Sequence, residues 1–148
     1  MTSPELGPEQ QSLVDALAAE HAAVFGYGVV SAFADPARAD DVATSTAAHR
    51  ARRDATIDAL IAVGVEPPVA APGYTVPFPV VDPTSAAQLA VQIESDTAVA
   101  WRSVVERARS EPARANAIEA LTDTAVRAAR WRTHLGIVPP TVAFPGRS

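Results

Sequence analysis

The sequence predicts an all-α protein, a bundle of four helices in which one connection is far longer than the others. Composition is the first reason. Of the 148 residues, 48% are hydrophobic, mostly Ala, Val and Leu, and only 5% are aromatic. Ala, Arg and Glu favour helices, and the aromatics that favour strands are scarce. Punctuation is the second. Six of the 13 prolines (Pro67, Pro68, Pro72, Pro77, Pro79 and Pro83) crowd into one segment, and the others lie near the ends of four long proline-free stretches. Proline breaks a helix interior, so each stretch between breaks is a candidate helix.

The first helix is expected over about residues 8–33, where Leu13, Leu17, Glu20, Val24 and Tyr27 recur at helical spacing. Gly26 and Gly28 interrupt it, a place for close approach by a neighbour or for a kink. Asp35-Pro36 opens a second helix over about 36–63, because a capping residue precedes proline at the first helical position; Gly64 stops it. Its inward stripe reads Val42, Thr46, His49, Arg53, Ile57 and Leu60. Asp82-Pro83 opens a third helix over about 83–110 by the same signal, with Ala90, Glu94, Thr97, Trp101 and Val104 facing inward. After Glu111-Pro112 a fourth runs over about 112–135, with Ile118, Leu121, Ala125, Ala128 and Leu135 as its stripe. The tail, 137–148, is expected to be extended, and residues 1–148 read as one domain.

Connection lengths then fix the topology. The first and second helices are joined by a few residues, as are the third and fourth, so each pair is antiparallel. The segment 65–82 is long and Pro-rich. Extended chain of that kind covers ~3.1 Å per residue and so reaches ~50 Å. A helix of this length measures ~40 Å. The segment is therefore able to return the chain to the far end of the bundle, leaving the second and third helices parallel. Two antiparallel pairs joined by one long crossover is the ferritin-like arrangement. Phe78 and Val80 in the crossover and Phe144 in the tail are expected to be buried against the helices.

Several classes of function are excluded or disfavoured. There are no cysteines, so thiolate zinc sites, iron–sulfur clusters and thiol catalysis are absent, as suits a reducing compartment. The first residues, Met1 to Glu5, lack the charged and apolar regions of a signal peptide, and no apolar stretch reads as long enough to span a bilayer; a cytoplasmic location without membrane contact is expected. A net charge of −5 disfavours nucleic acid as a partner. No Gly-rich phosphate loop, nucleophile elbow or His-Glu-x-x-His motif is present.

A bundle of this topology carries metal sites at mid-height, built from one Glu on each of two helices and Glu-x-x-His on each of the other two. Such ligands suit iron or manganese. Glu20, His49 and Glu94 lie near the midpoints of the first three helices and on their inward stripes. The rest of the set is missing. Thr46 stands where the first Glu-x-x-His needs its Glu, and the fourth helix offers Thr124 and Arg127 instead of Glu and His. A guanidinium repels a cation and pairs with carboxylates. Glu20, His49, Arg53, Glu94 and Arg127 are therefore read as an ionic network, with Glu20, His49 and Glu94 the metal ligands if any metal binds. Solvated surface charge is the plain alternative for the two glutamates. Trp101 and Trp131 read as core anchors, and the run from His49 to Asp54 wraps the helix rather than lining one face.

Ala19-Glu20-His21-Ala22-Ala23 with Gly26-Tyr27-Gly28, the run His49-Arg50-Ala51-Arg52-Arg53-Asp54, Pro77-Phe78-Pro79-Val80, and Trp131-Arg132 with Phe144-Pro145-Gly146-Arg147 together resemble a bacterial ferritin-like family catalogued as domain of unknown function 4439. The resemblance implies the ferritin-like four-helix fold and no established activity. The function expected is a non-catalytic binding or interaction domain of unknown small-molecule ligand, without a cofactor. The alternative is an iron- or manganese-binding protein or oxidoreductase with a reduced site. A homodimer is expected, paired through the first two helices.

Overall fold

The computed structural model describes residues 5–148; the expectation about a signal peptide at Met1 to Pro4 lies outside them. Four long helices pack together, with no strand among the described residues: α1 is Pro8–Phe33, α2 is Ala39–Ala62, α3 is Pro83–Arg107 and α4 is Glu111–His134. Asp35-Pro36 opens a short 3-10 turn, Pro36–Arg38, before α2 rather than α2 itself; the Asp35 carboxylate accepts the Ala37 N–H at 2.9 Å. α3 starts on a capping box. Asp82 Oδ1 accepts the Ser85 N–H at 2.7 Å, and Ser85 Oγ accepts the Asp82 N–H at 3.1 Å. These bonds satisfy amides that a helix start leaves without partners.

The ends of the helices give their directions. Ala34 and Arg38 share a cavity wall with Pro83, Thr84, His134 and Leu135, so α2 and α3 begin at the same end. At the other end Glu9 of α1 caps the start of α4, accepting the Arg109 and Ser110 N–H groups at 3.2 and 3.1 Å. α2 and α3 are therefore parallel, and the segment between them runs the length of the bundle. It is held to α1 by His21, whose Nε2 lies 3.2 Å from the Pro68 carbonyl, and by Tyr74, which packs on Phe25 with ring centroids 5.3 Å apart. Val76, Phe78 and Val80 then turn alternate side chains onto the core formed by Tyr27, Val30, Ala90 and Ile93. Alternation is what an extended strap lying on a helical face requires.

Phe78 is half-buried, and Phe144 is 61% exposed, against the expectation that both are inside. The tail docks through Gly146 instead. This glycine has φ +77° and presses on the Ala98 carbonyl and Arg102 of α3, where a Cβ has no room. The Phe144 ring is left outside under the Arg147 guanidinium, at 5.7 Å. Replacing the half-buried Phe78 with Ala should cost about 1–2 kcal/mol in chemical denaturation, less than a fully buried Phe would. No loss of stability would show that the strap is not anchored there.

The four helices do not pack equally. α1 lies against α2 and α3, and α3 against α4, while α2 stands back from α3 and α4. Side chains bridge the gap: Arg52 to Asp123 at 3.3 Å, and Asp41 to His134 at 3.1 Å. At the α1–α3 contact Gly26 meets Ile93, whose Cδ1 would lie 2.6 Å from a Cβ there, so the glycine serves close approach. Gly28 faces open space. The stripe of α4 is Ala117, Ala120, Thr124, Ala128 and Trp131, one residue round from the expected line, and Ile118 is half exposed. Contrary to the sequence reading, α1 is long and apolar enough by composition to cross a bilayer. Its Leu17, Tyr27 and Val30 are spent on the bundle core, and Glu20 interrupts its apolar run.

Candidate functional site

Glu20 of α1, His49 of α2 and Glu94 of α3 meet at mid-height and are fully buried. His49 lies between the two carboxylates. Its Nδ1 is 2.6 Å from Glu20 Oε2 and its Nε2 is 2.9 Å from Glu94 Oε1. Each glutamate also accepts from a second donor. Trp101 Nε1–H donates to Glu20 Oε1 at 2.7 Å, and the Tyr27 hydroxyl donates to Glu94 Oε1 at 2.6 Å. Trp131 Nε1–H donates in turn to the Tyr27 oxygen at 3.1 Å. From α4, Arg127 Nε lies 3.1 Å from both Glu94 oxygens.

Both ring nitrogens of His49 thus face carboxylate oxygens, contacts that an imidazolium meets with a proton on each nitrogen. The ring is an imidazolium. Burial alone would lower its pKa, but the hydrogen bonds and charges of Glu20 and Glu94 outweigh burial and raise it to about 9. Burial, then the charge of Glu94, holds the Tyr27 phenol well above its ordinary value, so it stays a donor. Two carboxylates are matched by one imidazolium and one guanidinium. Among the described residues no buried side-chain nitrogen or oxygen lacks a partner.

The network is reciprocal along the chain. Tyr27 follows Glu20 by seven residues and Trp101 follows Glu94 by seven, placing each donor about two turns on along the same face. Because α1 and α3 run antiparallel, each donor reaches the other helix's glutamate. Read as stripe and core residues, Tyr27, Trp101 and Trp131 were missed as polar partners; the repeated seven-residue step after a buried Glu was the available signal.

Of the five residues assigned to the network from sequence, the structure brings together Glu20, His49, Glu94 and Arg127. Arg53 stands outside it, on the flank of α2 beside Asp54 at 2.9 Å. The inward line of α2 is Val42, Ser45, His49, Thr56 and Leu60. Three residues past His49 that line passes Arg52, whose guanidinium sits 5.9 Å from the Trp101 ring centroid. Arg53, one residue further on, lies on the other side of that line. Thr46 and Thr124 donate their hydroxyls to carbonyls of their own helices, Val42 and Ala120.

Fold and site together define a four-helix protein built round a buried carboxylate–imidazolium–carboxylate bridge. The chain belongs to the family described as Domain of unknown function (DUF4439), whose model matches residues 12–148. It is similar to a conserved hypothetical protein, rv2844, from Mycobacterium tuberculosis, known from a crystal structure: identity is 46%, the match covers 88% of this chain and 99% of that one, and the TM-score is 0.85. A search of curated proteins finds no match.

Proposed function

We propose that this chain is a ferritin-like, non-catalytic binding or interaction domain in which an ionic network occupies the place of a metal site. The observation that supports this is the double engagement of His49. A metal ligand needs a free nitrogen lone pair, and both His49 nitrogens lie within hydrogen-bond distance of carboxylates that favour a proton on each. The α4 side brings a guanidinium onto Glu94 where an iron or manganese ion would need another anionic or neutral donor. The residues present therefore fit a dinuclear iron or manganese site poorly. Apart from the partly exposed Arg127, the network is also enclosed, which leaves its carboxylates and imidazole out of a substrate's reach. Binding then falls to the outer faces. In this reading the protein works in the cytoplasm as a homodimer, without nucleic acid or membrane as partner.

The test is metal analysis of protein purified from iron- and manganese-supplemented culture. The expected result is far less than one ion per chain, unchanged in Glu20→Gln. Stoichiometric iron or manganese that is lost in Glu20→Gln and His49→Gln would replace this reading with the metal-handling one.

A further inference from the structure

Where α2 stands back from α4 the flank of the bundle is open, and a cleft of about 320 Å³ lies there. Leu13 of α1, Ala59 of α2, Val63 just beyond it and Pro112 of α4 line its walls. Trp101, almost wholly buried, forms its floor, and Arg52 stands at its edge. This volume is in the range of small-molecule sites, and aliphatic walls with a few polar or charged groups are their usual makeup.

Arg52 is the group that gives the cleft a preference. Its side chain is 20% exposed, lies over the Trp101 ring, and is matched by one contact, from Nη2 to Asp123 Oδ2 at 3.3 Å. A guanidinium has five N–H donors in a planar fork suited to a carboxylate. Asp123 is about half exposed, so a ligand acid can share Arg52 with it or replace it. The other charged residue on the cleft, Glu9, is committed to the start of α4, where its Oε1 accepts from the Arg109 and Ser110 amides and the Ser110 hydroxyl. Its negative charge keeps a ligand acid away from that rim and leaves the Arg52 side for it.

We propose that this cleft is a binding site for a small amphipathic carboxylate, its acid group on Arg52 and its aliphatic body against Leu13, Ala59 and Val63. The proposal rests on the reading of the chain as a binding domain and names the class of ligand. Titration calorimetry of the full chain with octanoate, octanol and octylamine tests it. Octanoate should bind one per chain, octanol about tenfold more weakly, and octylamine more weakly than octanoate, since Arg52 favours the acid and repels the ammonium group. Arg52→Gln should weaken octanoate about tenfold in a chain still folded by circular dichroism. Ala59→Phe, which fills the cleft, should abolish binding while the chain stays folded by circular dichroism. Failure of octanoate to bind, or equal binding of all three probes, or unchanged affinity in Arg52→Gln, would overturn the site. Metal analysis of the same preparation separates the two readings. No metal and no octanoate binding removes the ligand site alone, whereas stoichiometric metal removes the network reading whatever octanoate does.

Discussion

His49→Ala is expected to lower stability by about 3–5 kcal/mol, one of the largest losses available to a single substitution in this chain. The reason is the position of the charge it removes. Glu20 and Glu94 are both fully buried, and His49 is the cation between them. Glu94 keeps Arg127 when His49 is gone. Glu20 keeps only the neutral Trp101 N–H. A buried carboxylate left without positive charge must either bear the cost of desolvation or take up a proton. The substitution also cuts the tie between α2 and α3, two helices that do not otherwise pack closely. Adding Glu20→Gln to His49→Ala should restore part of the loss, because the amide oxygen still accepts from Trp101 and carries no charge. Denaturation with urea measures both variants. A double variant no more stable than His49→Ala would show that stranded charge at Glu20 is not the cause. Arg127→Ala should cost less than His49→Ala, since its side chain is 17% exposed and water replaces part of what it supplies.

The helices were legible because their punctuation is local. Pro83, Asp82 and Ser85 act within one turn, and so do Asp35 and Pro36. The parallel course of α2 and α3 was legible from a length, since a Pro-rich segment of that reach has one economical path. The meeting of Glu20, His49 and Glu94 followed from their heights in three helices. What failed were readings that depend on rotation about a helix axis. On α2 and α4 alanine occupies several faces, so hydrophobicity alone does not mark which one is inside. One residue of error turns a side chain by 100°, which is how Arg53 was set inward and Ala117 and Ala120 were passed over for Ile118. Phe144 failed for another reason. Hydrophobicity suggested that the ring docks the tail, but the close contact is made by the backbone at Gly146, which sequence alone does not rank above a phenylalanine.

The same network predicts a loss of stability on the alkaline side. The His49 pKa is 6.5 in the ordinary state and about 9 in the fold. A group whose pKa is raised by folding contributes fully below its unfolded value, and the contribution is lost as pH rises through the folded value. Stability should therefore fall between about pH 6.5 and about pH 9, by roughly 3 kcal/mol in all. His49 faces Glu20 on α1 and Glu94 on α3, Arg127 on α4 pairs with Glu94, and Tyr27 on α1 is held well above its ordinary value, so its phenol does not obscure this. Elsewhere the chain has no cysteine and its 12 basic residues are all arginine, which leaves His21 and His134 as its other histidines. Urea midpoints measured at intervals from pH 6 to pH 9.5 should decline for the wild type. In His49→Gln most of this decline should be lost, since a neutral side chain takes up no proton on folding. A wild type as stable at pH 9.5 as at pH 6 would mean that His49 is not a cation in the fold.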